Sequence, residues 1–133
     1  NNSNSVSLHV RRGDYLKLKN IGVLDVDYYM KAVQYMRKNI EKPTFYIFSD
    51  DLEWCKKHLG FLDGCIYVDR TQNEIDDLKL MSFCQHNIIA NSSFSWWGAW
   101  LNQNPKKIVV APEGWLLNDP GSSNVILSDW VKF

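Results

Sequence analysis

Hydrophobic and polar positions follow two rhythms along this chain. Short β-branched or alternating runs at 6–10, 44–48, 65–68, 87–90 and 107–111 predict five strands. Between them the apolar residues recur at helical spacing. Tyr29, Met30, Val33, Met36 and Ile40 predict a helix that Asp25 or Asp27 caps and that runs to about Asn39, with Pro43 as its stop. A second helix is predicted over 52–59, opened by Ser49, Asp50 and Asp51 and ended by Gly60. A third opens at 73–77, with Ile75, Leu78, Met81 and Phe83 on its apolar side. A fourth runs from Phe94 to about Asn102 behind an Asn91-Ser92-Ser93 cap. After Pro112 the chain reads as loop as far as 125–127.

Strands of four to six residues alternating with such helices imply βαβ units. The expected fold is α/β: a Rossmann-like parallel sheet with helices on both faces and right-handed crossovers. The 133 residues suit one domain. With 45% apolar and 23% charged residues the chain has material for a core and little disposition to disorder. Fifteen basic residues balance fifteen acidic ones, so a nucleic-acid grip through bulk charge is disfavoured, while a local phosphate pocket stays open. Three cysteines (Cys55, Cys65, Cys84) without a C-x-x-C pair, and three scattered histidines, lead us to expect neither a zinc site nor a disulfide scaffold. Reduced thiols suit a cytosolic protein. No apolar run approaches the ~20 residues of a membrane span. The first strand follows the polar start almost at once, so a piece of a longer chain is expected.

Ligands of such sheets bind beyond the C-terminal strand ends. There the sequence places His9-Val10-Arg11-Arg12-Gly13-Asp14 after the first strand, Ser49-Asp50-Asp51 after the second and Asn91-Ser92-Ser93-Phe94-Ser95 after the fourth. A helix start offers free N–H groups and a positive dipole end, the serines add hydroxyls, and the arginines add bidentate cationic forks. Together they suit a diphosphate. No P-loop, G-x-G-x-x-G or G-x-S-x-G is present. Simpler roles exist for each part. Paired arginines also make surface ion pairs, and serines and Asp50-Asp51 cap helices. Asp76 and Asp77 favour a first helical turn. His58 and His86 read as surface or capping residues, and Trp97 or Trp100 as core rather than ligand platform. The Asn91-Ser92-Ser93 sequon reads as coincidence.

His9-Val10-Arg11-Arg12-Gly13-Asp14-Tyr15 resembles the H-x-R-R-G-D-Y motif of the α-1,2-fucosyltransferase family. Residues 45–55, and the stretch from Asp77 through Ile88 to Asn102 with its Ser-Ser-Phe-Ser-Trp-Trp-Gly-Ala-Trp core, resemble that family in the same order. The resemblance spans positions 6 to about 116. It implies an inverting transfer of L-fucose from GDP-fucose to a galactoside hydroxyl of a galactose-terminated glycan, with no divalent metal and no other cofactor. It also implies that residues 1–133 are one nucleotide-sugar-binding domain, the C-terminal half of a GT-B-like architecture, with an N-terminal domain of the same chain completing the acceptor site.

Carried over by position, the resemblance puts Arg11 and Arg12 on the β-phosphate and His9 beside the nucleotide. It puts Asp77 on the guanine edge, and Ser92 and Ser93 at the phosphate-facing helix start. A carboxylate can accept both the N1–H and N2–H₂ donors of guanine, a pair that adenine lacks. The arginines and the helix start would steady the departing pyrophosphate at an oxocarbenium-like transition state. Asp14 is the candidate base. An ion pair that orients an arginine is the equal alternative for it, and a base from the other half is a third. Two further functions stay open: a module that holds a nucleotide sugar without chemistry, and a transferase using another nucleotide sugar. The expected location is the cytoplasm, peripheral to the inner membrane, or otherwise a Golgi lumen with the anchor removed.

Overall fold

The computed structural model describes residues 4–10, 26–49, 52–59, 65–68, 74–90, 93–112 and 130–133. The elements alternate as expected: β1 (Ser5–Val10), α1 (Val26–Asn39), β2 (Thr44–Ser49), α2 (Leu52–His58), β3 (Ile66–Val68), α3 (Glu74–Phe83), β4 (His86–Ile88), α4 (Ser93–Leu101), β5 (Val109–Ala111) and β6 (Val131–Lys132). All six strands pair in parallel in the order β3-β2-β1-β4-β5-β6. β6 is an edge strand that the hydrophobic pattern does not announce, and the 125–127 run lies outside the described residues. The α/β Rossmann-like fold is therefore present.

β1 is fully buried and two-faced. Val6, Leu8 and Val10 meet Tyr29, Ala32, Val33 and Met36 of α1 together with Phe45 and Ile47 of β2. The opposite face carries Ser5, Ser7 and His9, with Phe94 of α4 against the His9 ring at 5.7 Å. A second cluster joins Ile89, Val109 and Ala111 to Ala99 and Trp96 of α4 and to Trp130. α1 ends as Ile40 N donates to Met36 O, and Lys42 then takes a left-handed φ of 48° ahead of Pro43.

Several faces differ from the sequence pattern. α1 buries Tyr28 where the pattern points to Met30, which is 38% exposed. α3 exposes Ile75 and Phe83, at 62% and 74%, and buries Asp77 beside the expected Met81. The cause is that α3 packs against both the sheet and α4, so its buried stripe follows two neighbours rather than one. Leu80 and Phe83 border a groove of about 250 Å³ over Tyr46 and Phe48. His86 is no surface residue. It is buried in β4, and its Nδ1 accepts the Ile108 N–H at 2.9 Å. Burial lowers its pKa, which favours the neutral ring that this bond requires. Trp97 and Trp100 are each 49% exposed, and Trp96, stacked on Trp100 at 5.4 Å, is the one packed inward.

Gly98 sets the closeness of α3 and α4. A Cβ there would lie 3.0 Å from Met81 Cβ and 3.3 Å from Met81 Sδ. Met81 Cβ is fixed to its backbone, so α3 itself would have to yield. Overpacking of this kind costs about 1–3 kcal/mol. For Gly98→Ala the gain in helix propensity, about 1 kcal/mol, offsets part of it. Gly98→Val is expected to lower the melting temperature by about 8–12 °C, more than twice the loss for Gly98→Ala, as read by circular dichroism.

Candidate active site at the strand switch point

The strand order reverses at β1. From it the chain builds outward through β2 to β3, then crosses by α3 to β4 on the other side. Helices leaving β1 and β4 therefore go to opposite faces, and open α/β sheets bind ligands beyond the C-terminal strand ends at such a switch point. The β1/β4 ladder ends at the pair Leu8↔Ile88, while β1 continues beside β2 to Val10↔Ser49.

Of the residues singled out in the sequence, His9 lies at this edge, buried next to the last residue of β1. Ser93 opens α4 directly after the β4 end. Asp77 sits in the first turns of α3, the helix that leaves the C-terminal edge, with its side chain only 5% exposed. Burial of a carboxylate requires compensating donors or cations, unlike an ordinary solvated first-turn acid. Arg11, Arg12, Asp14 and Ser92 lie outside the described residues. In the chain Arg11 follows Val10, the end of β1, and Ser92 precedes Ser93.

Ser95 departs from the expectation of a phosphate-facing hydroxyl. It is buried, its Oγ accepts the Ala90 N–H at 3.2 Å, and it lies 3.3 Å from Ala90 O. The hydroxyl thus staples the end of the β4 segment to the first turn of α4 and orients that helix start.

Three sets of contacts that sequence reading misses tie the sheet to its helices. The Tyr29 hydroxyl donates to His9 O at 3.0 Å. The Tyr28 hydroxyl reaches Ile89 O at 2.7 Å and Val110 O at 3.2 Å. At the other end of the sheet Asn87 and Asn102 form a buried amide network. Asn87 Nδ2 donates to Ser7 Oγ and Met81 O, at 2.7 and 3.0 Å, and Asn102 Nδ2 donates to Asn87 Oδ1 at 2.8 Å. Lys107 Nζ completes it, donating to Ala99 O and Asn102 O and placing a cation at the negative end of α4. The doubled tyrosine at the start of an apolar stripe was the available signal for the first two. Nothing local marks the asparagines.

The chain is 40% identical to the O-antigen biosynthesis glycosyltransferase WbnK of Escherichia coli, over 98% of this chain and 45% of that protein. It is 41% identical to an alpha-1,2-colitosyltransferase of Escherichia coli, over 98% of this chain and 48% of that protein. It is 33% identical to galactoside alpha-(1,2)-fucosyltransferase 1 of Sus scrofa, over 74% of this chain and 29% of that protein. The chain thus spans about half the length of the two bacterial relatives. The sequence profile of glycosyl transferase family 11 matches residues 1–133 throughout. A profile match over every residue, together with 40–41% identity to two bacterial relatives over 98% of the chain, leads to one conclusion: the chain belongs to glycosyl transferase family 11.

Proposed function

We propose that this domain binds GDP-fucose and takes part in inverting transfer of L-fucose to a galactoside hydroxyl of a galactose-terminated glycan. The observation that carries the reading is the topology. β1 and β4 are neighbours at the switch point, and in the sequence Arg11-Arg12 follows the one and Ser92-Ser93 leads from the other into α4. That arrangement suits a diphosphate, with guanidinium forks and helix-start amides neutralising the charge that develops as GDP departs. His9 lines the nucleotide side, and Asp77 receives the guanine N1–H and N2–H₂. Asp14 takes the acceptor proton, unless it serves to orient an arginine or the base comes from elsewhere in the longer enzyme. No metal and no further cofactor enters this scheme. The acceptor site is completed by an N-terminal domain of the same chain, and the whole forms a GT-B-like pair. The enzyme works in the cytoplasm at the periphery of the inner membrane, with a Golgi lumen as the alternative. Among the described residues no helix is long and apolar enough to cross a membrane.

A second donor sugar is favoured by the identity to the colitosyltransferase. Competition between GDP-fucose and GDP-colitose for the same site separates the two.

Thermal shift against GDP, ADP, UDP and GDP-fucose tests the reading. Ligand at a hundredfold excess over Kd stabilises by about 2.7 kcal/mol, so a guanine-selective rise in melting temperature is expected. Equal shifts with ADP and UDP would sink the guanine assignment. Asp77→Asn replaces a two-fold acceptor by a mixed donor and acceptor. It is expected to reduce the ratio of GDP to ADP affinity about tenfold or more, by calorimetry, since a mispaired buried polar group costs about 1–3 kcal/mol. An unaltered ratio would remove Asp77 from base recognition.

A further inference from the structure

The chain enters β5 with the Ile108 N–H bonded to a side chain. Along the β4/β5 ladder, Asn87 N donates to Ile108 O and Ile89 N to Val110 O. One step back, the parallel pattern would send the Ile108 N–H to Gln85 O. That carbonyl instead accepts Asn102 Nδ2 and Asn104 Nδ2, at 3.1 and 3.0 Å. His86 Nδ1 takes its place as acceptor, at 2.9 Å. A ring nitrogen can accept only while it carries no proton.

The ring is buried yet borders open space. His86 is 8% exposed and lines a cavity of about 400 Å³ at the N-terminal edge of the sheet. Asn39, Ile40 and Glu41 face this cavity from the end of α1, and Asn104 and Lys106 from the turn before β5. Among the described residues Glu41 and Lys106 are its charged groups, one of each sign. From β1 the neighbour of His86 in register is Val6. Lys107 Nζ is turned to Ala99 O and Asn102 O at the end of α4. Burial lowers the His86 pKa from its ordinary 6.5.

We propose that His86 is an acid-sensitive latch: its neutral ring holds the entry of β5 to the start of β4, and proton uptake at Nδ1 releases it. The protonated nitrogen becomes a donor facing another donor, the Ile108 N–H. The 104–107 turn is then tied to β4 through its asparagine amides, with the ring bond lost. That same turn carries Lys107, the cap of α4, so release at Ile108 also loosens the end of that helix. The sign follows from the lowered folded pKa. The bond contributes its full stability above pH 6.5, and the contribution is lost as pH falls from there through the folded value. The latch does not depend on the nucleotide.

His86→Asn tests it, because Oδ1 stands where Nδ1 stood and accepts the same N–H without titrating. Between about pH 7.5 and 5.5 the parent is expected to lose at least about 3 °C more in melting temperature than His86→Asn. In the parent, Ile108 amide exchange, corrected for its intrinsic pH dependence, is expected to speed about tenfold more than that of Val110 over the same range. The His86 ring, followed by NMR, is expected to titrate with a midpoint below 6.5. Equal losses of melting temperature in parent and variant would overturn the latch. So would Ile108 exchange that follows Val110, or a ring midpoint at or above 6.5. Should His86→Asn fail to fold, the two NMR readouts on the parent decide.

Discussion

Replacement of both Arg11 and Arg12 by alanine is expected to remove GDP binding that calorimetry can detect. Preorganised donors aimed at developing negative charge contribute about 2.7–4 kcal/mol each in comparable sites. At about 1.4 kcal/mol per tenfold, one loss weakens binding of the charged product roughly a hundredfold. Two neighbouring losses need not add, because each arginine can partly cover for the other. The single variants are therefore expected to differ, with at least one weakening GDP about a hundredfold. The remaining affinity should become less sensitive to salt, since fewer cations meet the phosphates. The ligand-free melting temperature serves as the control for folding. Unchanged GDP affinity in both single variants would reject the phosphate role and, with it, most of the proposed mechanism.

The largest loss of stability is expected at Asn87. Its side chain is 1% exposed and bonds to β1 through Ser7, to α3 through the Met81 carbonyl and to Asn102 just beyond α4. Leucine has similar volume but satisfies none of these partners. Each buried polar group left unpaired costs about 1–3 kcal/mol. Asn87→Leu is thus expected to cost about 3–5 kcal/mol, a large part of the 5–15 kcal/mol typical of a domain. That corresponds to a fall in melting temperature of about 12–20 °C. Asn39→Ala, which removes an exposed Nδ2 bond to Tyr35 O, is expected to change it by less than about 2 °C. A melting temperature for Asn87→Leu within a few degrees of the parent would show that the network is not a structural node.

Much of the fold was legible because most of its elements answer to local rules. β1 and β2 are β-branched or aromatic runs of the right length, and Asp27 in the first turn of α1 suits the positive end of its dipole. Legibility failed where burial depends on a second neighbour. α3 has almost no amphipathic stripe of its own: of its expected apolar side Met81 is buried against α4, but Ile75 and Phe83 are exposed and Asp77 is buried in their place. His86 was read outward because a histidine near a helix end is usually solvated, yet β4 starts there and its ring serves the Ile108 amide. The Trp-Trp-Gly-Ala-Trp run was read as core, but a helix flanked on one side by α3 and below by the sheet leaves Trp97 and Trp100 half outside.

The candidate site divides in the same way. His9 and the opening of α4 at Ser93 were found from motif and cap signals and lie where expected. Asp77, singled out through the family motif, is buried, unlike an ordinary first-turn acid. Ser95 was counted among the phosphate donors by composition, and only the three-dimensional turn shows its hydroxyl committed to Ala90.

What the chain alone determined was the alternation of strand and helix, the parallel sheet that follows from it, and the motif residues that stand after each strand. These depend on periodicity and on turn chemistry, which are properties of neighbours in sequence. The order β3-β2-β1-β4-β5-β6, the switch point at β1 and the tyrosine and asparagine contacts were decided only by the tertiary structure. Most of these contacts join groups 15 to 82 residues apart, and no local propensity records a partner that folding alone brings within reach.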